Sequence, residues 1–313
     1  MIRKRRHHYV PQFYLKPWSK DNRVFCLRVG KIKQLGLRDV GVAQDFYAVG
    51  DLAPDDVEFL RPAVIAHSPT GARRLHNELL RDFALVAAAN RPCKVKPEMA
   101  EQAKEQIRAV VSNLDENYHQ SIERELQTAI NCMLSGSVDF FYSVEAAGMF
   151  LRAVALFSLR TKLTRERMKK SVRVPLVGFD FDRIYGPMIH MFAVNIGGGL
   201  LLDRARYRIV LLDNDTDVPF ITGDQPVLNI HEERDENGTP RDVEWCMPLS
   251  PKLAMLFVLA ERAPDALLVS ITAEEARNYC MRIAKNHHDQ LYGGNEQALL
   301  PYASISKANC NDG

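Results

Sequence analysis

Two adjacent histidines stand near the start of the chain, in the string Arg6-His7-His8-Tyr9-Val10-Pro11-Gln12. Imidazole titrates near neutrality, so it can take a proton from water or hold a metal. Much later, Phe220-Ile221-Thr222-Gly223-Asp224-Gln225-Pro226 sets a carboxylate at the end of an apolar run. Loops at strand ends hold reactive groups on a rigid support. Arg160 and Arg167 are seven apart in a helical stretch, which puts them on nearly one face. A guanidinium grips phosphate with two parallel hydrogen bonds. Together these residues describe a hydrolytic centre of the metal-dependent nuclease type, using Mg²⁺ or Mn²⁺ on RNA or DNA. His7 or His8 would be base or ligand, and Gln12 a contact to water or phosphate. Asp224 would be ligand or orienter, and Arg160 a phosphate clamp. Arg3, Lys4, Arg5, Arg6, Arg160 and Arg167 would hold the nucleic-acid backbone.

Each group also has a plainer reading. Neighbours in a strand point to opposite faces, so His7 and His8 do not share one site. The histidine string would then be a clasp tying the N-terminus to a β-rich end, in a non-catalytic protein that binds nucleic acid or an acidic partner. Asp224 could close an Asx turn on local backbone N–H groups. His287-His288-Asp289 has no further ligands at metalloprotease or zinc-finger spacing, and reads as a helix end where imidazolium meets the dipole. His231-Glu232-Glu233 reads as a solvated loop. There is no phosphate-cradling P-loop and no G-x-S-x-G elbow, and Gly197-Gly198-Gly199 reads as a helix cap.

Charge separates along the chain. Of a net charge of +2, residues 1–38 carry eleven Lys/Arg and one acid, Asp21, or +10. Residues 152–173 carry eight Lys/Arg against Glu166, or +7, while 213–244 carry ten acids against Arg234 and Arg241, or −8. The basic stretches suit phosphate; the acidic one is either a solvated loop or their internal partner. The 313 residues, 46% hydrophobic and 26% charged, are ample for a core without a metal or disulfide. None of the six cysteines forms C-x-x-C, so reduced core thiols are expected. No apolar run approaches the ~20 residues of a membrane helix, and no signal-type stretch precedes the basic start, so a cytoplasmic protein is expected.

The elements that must position these residues read as α+β, in a single domain over 1–313. A helical middle (51–200) lies between a basic, β-rich N-terminal part (1–50) and a β-rich part with a C-terminal helix (201–313), and the two ends must meet. Residues 9–18, broken by Pro11 and Pro17, read as extended. Asp21-Asn22 turns into a strand at 24–29. Asp55 or Asp56 caps a helix ending near His67, and Ser68-Pro69 opens the next. Apolar residues from Met99 to Met133 recur every three or four positions, a helix from about Pro97 that Gly136 closes. Ser143 caps the following helix, and another runs from about Asp182 to Ile196. Short β-rich runs then follow: 207–212, 220–222, 227–230, 245–249, 253–259 and 267–271. Asn237-Gly238 is a hairpin signal, and Thr272-Ala273-Glu274-Glu275 is a capping box.

Six strings in one order resemble a bacterial family of unknown function, DUF4238. They are His7-His8-Tyr9-Val10-Pro11-Gln12-Phe13-Tyr14-Leu15, Gln44-Asp45-Phe46-Tyr47, Leu159-Arg160-Thr161, Pro219 to Val227, Pro248-Leu249-Ser250-Pro251, and the segment from Asn278 to Tyr292. The first and fourth are specific. In the fourth, Gly223 and Gln225 stand where the family string has Ser and Asn, which changes the donors around Asp224. The resemblance implies a shared fold and carries no catalytic assignment. The paired histidines are also superficially similar to the first strand of an HNH nuclease finger. That finger needs an Asn and a second His close by; Asn22 is present, but the next histidine is His67.

Overall fold

Strands from the two ends of the chain lie side by side in one sheet. A computed structural model describes residues 6–44, 46, 52–89, 118–171, 180–236, 238 and 240–308. The N-terminal part holds β1 (Arg6–His8), a short helix α1 (Gln12–Leu15), β2 (Arg23–Arg28), β3 (Lys31–Gly36) and β4 (Val42–Gln44). The middle holds α2 (Pro54–Leu60), α3 (Thr70–Ala89), α4 (118–134), α5 (Val144–Leu159), α6 (Lys162–Ser171) and α7 (Phe181–Leu202). The last part holds β5 (Tyr207–Asp213), β6 (Thr222–Gly223), β7 (Leu228–Asn229), β8 (Trp245–Ser250), β9 (Leu253–Leu259) and β10 (Leu268–Ser270). Helix α8 (Ala273–Asn286), β11 (Leu291–Gly293) and α9 (Ala303–Ala308) follow.

The fold is α+β, with helices in the middle and strands toward the ends. One sheet has the order β10-β5-β9-β8-β7; the other runs β3-β2-β11-β6. In the second, Tyr292 lies opposite both Cys26 and Thr222, so late residues bridge the two ends. β1 pairs separately with β4, His8 opposite Val42. The larger core cluster takes Tyr9 and Trp18 from the start, Phe150, Phe157 and Ile189 from the middle, and Phe257 and Tyr292 from the last part.

Local signals hold where they are complete. Ser143 accepts from Ala146 N, and Thr272 and Glu275 form the reciprocal capping box of α8. Gly136 ends α4 with φ +82°. Asp21 and Asn22 make their turn with φ of 52° and 56°. Residues 97–117, the early part of the long apolar repeat, lie outside the described residues, as do Asn237, Tyr47, Cys93 and Cys310. Cys26, Cys246 and Cys280 are buried thiols, and Cys132 is a partly exposed one.

Several expectations change. Residues 9–18 are not extended: Pro11 sits just before α1, and Pro17 opens a 3₁₀ turn at Lys16–Trp18, positions where no backbone donor is required. The first helix of the middle region starts after Ala53, whose N–H donates to Asp56 Oδ2 (2.8 Å), and a π turn, Arg61–Ile65, extends it. The three glycines do not stop α7, which runs on to Leu202. Gly197 instead faces α5, where a Cβ would stand 2.7 Å from Arg152 N and 2.8 Å from its Cα. The glycine is there for helix contact. At 22 residues, α7 is long and apolar enough to span a bilayer, yet 56% of its apolar window is buried within the fold, as in a core helix. His231 is not solvated: it is buried, with Nδ1 2.8 Å from the buried Glu244.

Candidate functional site

β1 lies within electrostatic reach of α4, His8 of Glu123 and His7 of His119. The turn after β3 supplies the carbonyls of Leu37 and Arg38, which face the His8 imidazole. Burial pushes the His8 pKa below its usual value; the Arg38 carbonyl and, farther off, the Glu123 carboxylate oppose that shift without cancelling it. His8 is therefore neutral at pH 7. The Gln12 amide nitrogen lies 3.5 Å from His8 Nε2. With the ring proton on Nδ1, Nε2 accepts from that amide nitrogen. His8 thus presents a basic nitrogen beside an exposed glutamine, within electrostatic reach of Glu123.

Behind it is a buried polar group. Arg160, 2% exposed, pairs with Glu123 on α4 (Nη1–Oε1, 2.8 Å) and lies over the Phe157 ring. His119, also on α4, stacks near His190 of α7, with ring centres 4.8 Å apart. Its pKa is driven well below the usual value, first by burial and then by His190, Arg160 and His7. His7 adds to the charge around His119, while His8 faces the Leu37 and Arg38 carbonyls.

Asp224 is elsewhere and differently employed. It has no exposed surface. Its Oδ1 accepts from His288 N (2.8 Å), and its Oδ2 from Asp289 N (2.6 Å) and Gln290 N (3.0 Å); its own N–H donates to Gln290 O (3.0 Å). This is not an Asx turn, since the partners lie 64 to 66 residues away. Burial raises the Asp224 pKa, and those three N–H groups pull it part of the way back.

A web of buried contacts surrounds that clasp. Gln290 Oε1 accepts from Gly41 N (3.2 Å) and the Tyr292 hydroxyl (2.8 Å), and its amide nitrogen donates to the Tyr9 hydroxyl (3.5 Å). Tyr14 donates to Pro248 O (2.8 Å) and lies 2.9 Å from the Thr222 hydroxyl, while Trp18 Nε1 donates to Phe220 O (2.8 Å). Thr161 donates to Gln225 Oε1 (2.7 Å). Lys162 pairs with Asp289 (3.0 Å) and lies over the Tyr9 ring, its Nζ 5.2 Å from the ring centre. Tyr9 also packs against Phe46. Every string that carries the family resemblance enters this network or strand pairing.

The residues singled out from sequence therefore divide. Arg160 pairs with Glu123, whose charge reaches His8, and Gln12 lies beside His8, whereas Asp224 belongs to the clasp. Arg160 is not an open phosphate clamp, and it does not share a helix face with Arg167. The helix breaks at Arg160-Thr161, where the Thr161 hydroxyl caps α6 by accepting from Thr164 N, and Arg167 is exposed beyond the bend. Arg6 is exposed and pairs with Asp39 (3.0 Å). Arg3, Lys4 and Arg5 lie outside the described residues. Among the described residues, no group of three or more His, Cys, Asp or Glu side chains is placed to hold a metal. Sequence reasoning missed Glu123, Gln290, Thr161 and Lys162. Glu123 was legible only as a polar position on an apolar-periodic helix.

Two of the three charged stretches are taken up largely by ion pairs within the fold. The 152–173 stretch pairs through Arg152–Glu125, Arg160–Glu123, Lys162–Asp289, Arg165–Asp182 and Lys169–Asp182. The acidic stretch pairs elsewhere, through Asp215–Lys252, Glu232–Arg282, Glu233–Arg262 and Asp242–Arg206.

No curated protein and no solved structure matches the chain. A profile of the DUF4238 family, described as a protein of unknown function, matches residues 6–177 and 187–297. With nearly its whole length matched, the chain belongs to the DUF4238 family.

Proposed function

We propose that this protein is a hydrolase of phosphodiester bonds in RNA or DNA, with His8 as its general base. The observation that carries the reading is a neutral imidazole whose Nε2 faces the exposed Gln12, with a carboxylate within electrostatic reach. In the reaction, His8 Nε2 takes a proton from the attacking water while Gln12 holds the water oxygen. That oxygen bonds to phosphorus, and the bond to the leaving oxygen breaks. The imidazolium then returns its proton to the leaving oxygen. Glu123 stabilises the transient imidazolium, and Arg160 fixes Glu123 in place, acting as a positioning residue. A cytoplasmic setting accords with the unpaired thiols of Cys26, Cys246 and Cys280.

The test is cleavage of labelled RNA and DNA, with Mg²⁺ or Mn²⁺ supplied, by wild type, His8→Ala and Asp224→Ala. The expected result is a 10²–10⁴-fold loss in His8→Ala with folding intact. Equal background cleavage by all three proteins removes the reading. A second reading, a non-catalytic binding or sensing protein, draws on the complete internal use of Asp224 and the pairing of Arg160. It predicts nucleic-acid binding without turnover.

A further inference from the structure

The β2–β3 hairpin places three cations on one side of the sheet. In its register Arg28 lies opposite Lys31, and Cys26 opposite Lys33. Directly opposed residues share a face and alternate residues along a strand return to it, so Arg28, Lys31 and Lys33 point the same way. All three are exposed. Opposed like charges oppose folding, and here they are forced together by a two-residue turn, Val29-Gly30, with φ of 49° and 69°. A β-branched residue in that region is itself strained. No acid among the described residues pairs with Lys31 or Lys33. Arg28 reaches only Asp289, at 3.9 Å, and shares it with Lys162.

This face is also the one against which the histidine-bearing segment packs. Cys26 and Tyr292 lie on it, and both contact Gln290, whose amide reaches Tyr9. Lys162 lies over the ring of Tyr9, the residue after His8. Asp289 lies between Lys162 and Arg28 and pairs with both, so the cationic run extends to the segment that carries His8 and Tyr9. Lys31 and Lys33, at alternate positions of β3, are spaced about 6.8 Å apart, the scale of successive phosphates on an extended single strand, and Arg28 flanks Lys31 from β2.

We propose that Arg28, Lys31 and Lys33, continued by Lys162, form the track on which a single-stranded nucleic-acid backbone lies as it passes His8. This rests on the hydrolase reading, but its test is separate from turnover. Binding of short labelled single-stranded RNA, its DNA counterpart and a poly-glutamate peptide is measured by anisotropy across a salt series. Proteins compared are wild type, Arg28→Gln/Lys31→Gln/Lys33→Gln, and His8→Ala.

Each single-strand phosphate contact contributes about 0.7 to the slope of log affinity on log salt. The triple variant is therefore expected to lose about 2 from that slope, with an undiminished melting temperature, while His8→Ala keeps the full slope. An unchanged slope in the triple variant overturns the track and leaves the lysines as guards of an exposed strand edge. Equal affinity and slope for poly-glutamate overturn the assignment to nucleic acid, as does absence of binding by wild type. Loss of slope without any cleavage by wild type keeps the track and removes the hydrolase. Cleavage with an unchanged slope does the reverse.

Discussion

Asp224 and His8 hold opposite kinds of position. The carboxylate is closed off, with both oxygens filled by backbone N–H groups of residues 288–290. The imidazole is half-buried and keeps one nitrogen directed at an exposed amide, at a hydrogen-bond distance long enough to exchange. A fully satisfied buried group holds structure, while one whose hydrogen bond reaches an exposed side chain can exchange that partner for a substrate. The difference separates the part that closes the fold from the part that could act.

The strongest way to break this contrast is Asp224→Ala. It strips three N–H groups of their acceptor and should cost about 3–5 kcal/mol, roughly 10 °C in melting temperature. A melt within a degree of wild type would return Asp224 to the candidates for chemistry. Next is Thr161→Val, which removes the donor to Gln225 and so tests whether the α5–α6 bend belongs with the clasp. About 1–2 kcal/mol should be lost in denaturant unfolding.

A third test concerns the imidazoles. His119 has its folded pKa held well below 6.5, so the unfolded chain binds its proton first as pH falls. Its contribution therefore weakens the fold as pH drops below about 6.5, by up to about 1.4 kcal/mol per pH unit. Comparing wild type with His119→Gln between pH 7 and 5 should show a shallower loss in the variant, and parallel curves would contradict the burial argument. The smallest stability effect belongs to His8→Ala, within about 0.5 kcal/mol. A loss of several kcal/mol would place His8 with the clasp.

What the sequence disclosed followed contact range. The α8 capping box and the Asp21-Asn22 turn were legible because every participant lies within four residues. The meeting of the two ends was inferred from β-rich runs, and the Tyr292 pairings bear it out. Asp224 drew attention by its turn chemistry, but its acceptor role depends on partners 64 to 66 residues away, which no local pattern reveals. Gln290 looked ordinary because its neighbours Gly41 and Tyr9 are remote in sequence. Gly197 was misread for a related reason: glycines end helices by local rule, whereas this one serves a crossing partner. The Arg160–Arg167 face failed because helical periodicity ran past a bend made by Thr161.

The position of β11 sets the order of assembly. It is an inner strand, between β2 and β6, although it is the last of the described strands to be synthesised. Until residues 288–293 leave the ribosome, β2 and β6 each wait with an unpaired margin and the Asp224 carboxylate has no N–H groups to receive. The second sheet must therefore complete late, through long-range contacts of the kind that slow folding. A nascent chain halted before Leu291 would carry two open edges suited to pairing with a neighbour.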